Sequence, residues 1–106
     1  MLTVFIATHN GAQTLPRVLA AHAQLAAPAG GWRLVIIDNG SDDDTAALAG
    51  AFADRLPLRV INAPRRGKNR ALNSGLRLLD GDLAVFSDDD TLPEHDWLCL
   101  LYTSDA

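Results

Sequence analysis

Four short apolar runs are separated by stretches with helical spacing, and this alternation restricts the possible fold more than any other feature of the chain. The runs are Thr3-Val4-Phe5-Ile6-Ala7, Arg33-Leu34-Val35-Ile36-Ile37, Leu58-Arg59-Val60-Ile61 and Leu83-Ala84-Val85-Phe86. Between the first two, Leu15, Val18, Leu19, His22 and Leu25 keep i, i+3, i+4 spacing, and Pro28-Ala29-Gly30-Gly31 breaks the pattern. A second helix is expected over 45–54, and a third has Ala71, Leu72, Gly75, Leu76 and Leu79 on one face. Repeated strand–helix alternation predicts an α/β domain with a mostly parallel sheet, because parallel neighbours need a crossover connection. Such sheets bind ligands beyond the carboxyl ends of their strands. The candidates are therefore the polar residues that follow each run: Thr8, His9 and Asn10; Asp38 and Asn39; Asn62; and Asp88, Asp89 and Asp90.

The last three carry the most chemical information. Neighbouring carboxylates repel by about 4 kcal/mol per pair at 4 Å for an effective dielectric near 20. A divalent, oxygen-preferring metal removes that repulsion and can hold a diphosphate as well. An acidic triplet also suits a helix cap or a solvated loop. Asp42, Asp43 and Asp44 illustrate that alternative: Ser41 with Asp44 three residues later reads as a capping box for the second helix. For residues 88–90 the cap is already supplied by Thr91-Leu92-Pro93-Glu94, which leaves the acids upstream of a helix start.

Charge is segregated. The net charge is −4, yet seven of the nine basic residues lie between Arg55 and Arg77, a stretch without an acid. This suits a small polyanion bridged between basic side chains and an acid-bound metal, with a solvated helix face as the plain alternative. Nucleic acid is not expected as a partner, since the acid clusters would repel a phosphate backbone. The 48% hydrophobic and 21% charged composition is that of a globular domain. No run approaches the roughly 20 apolar residues of a membrane span, so a cytoplasmic location is the default expectation. The single Cys99 excludes an internal disulfide.

Together, Val4-Phe5-Ile6-Ala7-Thr8-His9-Asn10, Ile36-Ile37-Asp38-Asn39-Gly40-Ser41-Asp42-Asp43, Arg66-Gly67-Lys68-Asn69-Arg70-Ala71-Leu72-Asn73-Ser74-Gly75 and Phe86-Ser87-Asp88-Asp89-Asp90 resemble, in order, the amino-terminal half of a family 2 glycosyltransferase. The resemblance covers about residues 2–97. It implies a Rossmann-like GT-A three-layer sandwich, here incomplete, and metal-dependent, inverting transfer of a sugar from a UDP-, GDP- or dTDP-sugar to an unknown acceptor. By the same resemblance Thr8, His9 and Asn10 line the nucleotide pocket, and Asp38 accepts a hydrogen bond from the base. Lys68 and Arg70 meet the phosphates, where Gly67 lets the backbone approach and the following helix offers N–H groups. Asp88 and Asp90 match the Asp-x-Asp metal motif for magnesium or manganese, with Asp89 near the ribose or the metal's waters. On an extended segment alternate residues point the same way, so Asp88 and Asp90 are expected to converge.

The family places its general base downstream of that motif, so these 106 residues are expected to hold the donor-binding part alone and to be inactive by themselves. The full-length parent could sit at the inner membrane face. Residues 1–98 form the expected domain part. Cys99-Leu100-Leu101-Tyr102-Thr103-Ser104 resembles a translated sequencing-library adapter, which makes residues 99–106 a non-native tail on this reading. A non-catalytic nucleotide-binding module is the alternative from another class. A haloacid-dehalogenase-type phosphohydrolase fits less well, because Leu92 stands where its motif wants Thr or Val and the motif follows the fourth strand instead of the first.

Overall fold

A computed structural model describes residues 2–28, 30–63 and 83–99. Strand β1 (Leu2–Thr8), helix α1 (Leu15–His22), strand β2 (Trp32–Asp38), helix α2 (Thr45–Gly50), strand β3 (Leu58–Asn62) and strand β4 (Leu83–Ser87) follow in order. The expected third helix and the basic segment with Lys68 and Arg70 lie outside the described residues.

The four strands form one sheet in the order β3-β2-β1-β4, and every pairing is parallel. The α/β architecture predicted from the alternation is the one found. β1 lies inside the sheet with six of its seven residues buried, as its unbroken apolar run requires. Its side chains alternate between two cores. Leu2, Val4 and Ile6 join Leu34, Ile36 and the α1 residues Leu15, Val18 and Leu19, while Phe5 joins Val35, Ile37 and Ala63 on the other face. Phe5 and Phe86 are register partners on β1 and β4, and their rings stack with centroids 5.4 Å apart.

α1 buries Leu15, Val18, Leu19 and His22, the stripe its spacing predicts, and begins with a proline in its first turn, where the missing N–H costs nothing. α2 stops at Gly50, short of the expected residue 54. Beyond it the chain tightens into i to i+3 turns, with Phe52 N–H on Ala49 O at 3.0 Å and Ala53 N–H on Gly50 O at 3.1 Å. Glycine is a poor helix residue, and Phe52, 9% exposed, is drawn into the core by the tightened turn. No helix starts at Thr91 either. Residues 91–94 are irregular and helical geometry begins at Trp97. Pro93 biases Leu92 towards extended backbone, and the Thr91 N–H closes a turn on Asp88 O at 3.4 Å instead of opening a helix. None of the described helices is long and apolar enough to cross a membrane.

The order β3-β2-β1-β4 has one consequence for function. The chain moves outward from β1 through β2 to β3, then returns to β1's other side as β4, so the order reverses beside β1. The carboxyl ends of β1 and β4 therefore flank a topological switch point, where a crevice opens in sheets of this kind.

Candidate functional site

Register alone brings the site together. Thr8, Asp38 and Asn62 are level across β1, β2 and β3, and Ile6 pairs with Ser87 at the end of β4, two residues before Asp89. The Thr8 hydroxyl, 3% exposed, donates to Asp89 Oδ2 at 2.8 Å. A cavity of about 300 Å³ opens here, lined by Ala7, Thr8, His9, Asn39, Asp88 and Asp89.

His9 Nδ1 lies 2.8 Å from the Asn39 carbonyl oxygen. A carbonyl only accepts, so Nδ1 carries the proton. Nε2 is then left to accept from Asn10 Nδ2 at 3.3 Å. Asn10 takes a left-handed backbone at φ 51°, a conformation asparagine tolerates better than most residues. Its N–H donates to Ser41 Oγ at 2.8 Å, and its Oδ1 accepts the Asp42 N–H at 2.7 Å. Asn10 thus ties the loop after β1 to the loop after β2.

These contacts correct the capping-box expectation. Ser41 does not cap α2; its hydroxyl accepts the Asn10 N–H. The N-cap residue is Asp44, whose side chain makes no capping bond. Asp43 accepts from the Thr45 N–H at 3.1 Å, from the Ala12 N–H at 3.3 Å and from the Thr45 hydroxyl. The Thr45 hydroxyl bond foremost, with backbone N–H groups beside it, holds the Asp43 carboxyl below the usual range. Thr45 Oγ1 in turn accepts the Gly11 N–H at 2.9 Å. Thr45 and Gly11 were not among the sequence candidates, and Asp43 was named there only within an acidic triplet and a family motif. Asn10-Gly11 is a turn signal that pointed to Gly11, whereas the Thr45 contact has no local signal, since it spans 34 residues.

The remaining candidates divide. Asp38 is buried at 6% exposure and does not line the cavity, and its Oδ1 accepts the Ser41 N–H at 3.2 Å across a turn that Gly40 permits with φ 68°. Asn39, its neighbour, forms the wall. Asp88 and Asp89 face the same cavity. Asp90 lines a second cleft of about 180 Å³ with Gln13, Thr14, Arg17, Val18 and Leu92. The alternation expected of an extended segment does not apply here, because residues 89 and 90 form a turn. Among the described residues no group of three His, Cys, Asp or Glu side chains is placed to hold a metal. Two carboxylates on one cavity nevertheless suit a magnesium- or manganese-type ion, which keeps water and takes phosphate oxygens to complete its shell.

The chain is similar to known proteins in sequence and in fold. The family model described as "Glycosyl transferase family 2" matches residues 3–104. The PGL/p-HBAD biosynthesis glycosyltransferase of Mycobacterium tuberculosis is 36% identical over 101 residues, covering 92% of this chain and 39% of the relative. Among solved structures, the mannosyltransferase PcManGT from Pyrobaculum calidifontis, in complex with GDP-Man and Mn2+, superposes with a TM-score of 0.81 at 29% identity, covering 89% of this chain and 29% of that one. Glucosyl-3-phosphoglycerate synthase from Mycobacterium tuberculosis, in complex with Mn2+, UDP and phosphoglyceric acid, gives 0.71 at 30% identity, covering 90% and 34%. The chain spans about a third of the length of the curated relatives it matches.

Proposed function

The chain belongs to glycosyl transferase family 2, and from that membership we propose that it forms the donor-binding part of an enzyme that transfers a sugar from a nucleoside diphosphate sugar to an acceptor hydroxyl. The observation that carries this reading is the meeting, across the switch point, of Thr8 with Asp89, and of both with Asp88, on one cavity. Support comes from the mannosyltransferase, solved with GDP-Man and Mn2+, and from the synthase, solved with UDP and Mn2+.

On this reading the base lies along the loops after β1 and β2. His9, Asn10 and Thr8 bound it on one side, and Asp38 offers an acceptor-only carboxylate suited to a ring N–H. Lys68 and Arg70 provide positive charge for the phosphates. Asp88 would hold a magnesium or manganese ion; the family motif pairs it with Asp90, which lines the neighbouring cleft here, and Asp89 would face the ribose or the metal's waters. When bound, that ion neutralises charge developing on the departing nucleoside diphosphate. Displacement at the anomeric carbon by an acceptor from the opposite face inverts its configuration. Deprotonating that acceptor needs a carboxylate, which we place outside these 106 residues, so the chain alone holds the donor without turning it over. The cytoplasm remains the proposed location.

Calorimetric titration of UDP and GDP with and without Mn2+, on the native chain and on Asp88→Ala/Asp90→Ala, tests the proposal. The expected result is metal-dependent binding of one nucleotide that the double substitution abolishes. Binding indifferent to metal and to both substitutions would overturn it.

A further inference from the structure

We propose that Thr8 is a positioning residue: its hydroxyl sets the Asp89 carboxylate before any ligand arrives, and Gly11 is a glycine so that this hydroxyl keeps its place. The inference rests on the donor-binding reading and assigns to Thr8 and Gly11 a task distinct from contact with the nucleotide.

The geometry allows little else. A side chain on Gly11 would put its Cβ well inside contact distance of Thr8 Oγ1, and 3.6 Å from both Asp89 Oδ2 and the Leu15 Cβ. The glycine cannot retreat to make room. Its N–H is held by Thr45 Oγ1 at 2.9 Å, and its carbonyl accepts the N–H groups of Thr14 at 3.1 Å and Leu15 at 2.8 Å. Thr45 is fixed by Asp43. A continuous chain of contacts, Asp43 to Thr45 to Gly11 to Thr8 to Asp89, therefore joins the loops after β2, β1 and β4.

The chemistry explains why a hydroxyl serves here and a cation would not. Asp89 sits between two other aspartates, and its carboxylate left alone would turn away from them. A lysine or arginine would hold it but cancel the charge that attracts a metal. A threonine hydroxyl donates one short charge-assisted bond, fixes the direction of the carboxylate and leaves its full negative charge towards the cavity. Thr8 is restricted by its β-branch and by burial at a strand end, so its hydroxyl is itself set in advance.

The test compares Thr8→Val, which keeps the shape and removes the hydroxyl, with Thr8→Ser, which restores it, and with Gly11→Ala, in the 106-residue chain. Mn2+ alone is titrated and followed by paramagnetic broadening of the amide signals of residues 88–90, and UDP binding is measured with and without Mn2+. Thr8→Val is expected to weaken Mn2+ binding roughly tenfold. Thr8→Ser recovers most of the loss, and Gly11→Ala repeats it although the hydroxyl is present. Where Gly11→Ala does not fold, the Val and Ser pair decides alone. Equal Mn2+ affinity in the native chain and Thr8→Val, equal losses in Val and Ser, or no broadening in the native chain overturns the proposal. Mn2+ affinities that separate Val from Ser while UDP fails to bind would sustain the positioning role and remove the donor reading. Metal-dependent UDP binding that Thr8→Val leaves intact would do the reverse.

Discussion

The imidazole of His22 meets the indole of Trp97 edge-on, with ring centroids 6.1 Å apart and planes at 84°. His22 closes α1 and is fully buried; its Nδ1 donates to the Val18 carbonyl at 2.7 Å, and its Nε2 finds no hydrogen-bond partner among the described residues. Burial lowers its pKa below the ordinary 6.5, against the raising effect of the Val18 bond, so the folded chain keeps the ring neutral. The unfolded chain then binds the extra proton first. The His22 contribution to stability is expected to be level above about pH 6.5 and to fall as the pH drops below it. Urea unfolding midpoints of the native chain and His22→Leu, taken from pH 8 to pH 5, should diverge in slope below that value; parallel curves would refute the neutral ring.

Thr45→Val should destabilise the chain by about 1–3 kcal/mol at pH 7, because it strands the buried Gly11 N–H. It also removes the hydroxyl that holds down the Asp43 pKa, whose ordinary value is 3.8. A lowered carboxylate pKa contributes stability above the unfolded value and loses it as the pH falls through the folded one. The difference between native and Thr45→Val chains should thus narrow below about pH 3.8. A gap that holds constant to pH 2 would mean that Asp43 has no part in it.

At Asn10 two substitutions separate backbone from side chain. Both Asn10→Gly and Asn10→Ala lose the bond from Oδ1 to the Asp42 N–H. Only alanine must also occupy the left-handed backbone without local compensation, which costs about 1–2 kcal/mol. Alanine should therefore unfold at lower urea than glycine, and the reverse order would show that the loop relaxes.

Leu98 is fully buried in the core cluster with α1. Leu98→Ala should cost about 2–5 kcal/mol. Should the domain part end near residue 98, the boundary expected from the sequence, removing residues 99–106 should change stability by no more than about 0.5 kcal/mol. Thermal unfolding of both variants checks the boundary, and a large loss on truncation would move it outward.

The strands, the parallel sheet and the edge at which polar residues gather were legible in the primary structure. Burial imposes a period of two or 3.6 on nearby residues, and that period is written locally. The acidic triplet was legible as a concentration of like charge, since adjacent carboxylates repel wherever the chain goes. Which acid faces which cavity was not legible. Asp89 joins Asp88 beside Thr8, and Asp90 lines a separate cleft, because a turn replaces the extended segment that strict alternation assumes. Ser41 likewise fits the local pattern of a helix cap, yet the loop after β1 takes its hydroxyl. Thr8 and Asp89 stand 81 residues apart. Their contact exists because parallel register sets two strand ends level, and register is decided by how both faces of the sheet pack, which no single stretch of chain encodes.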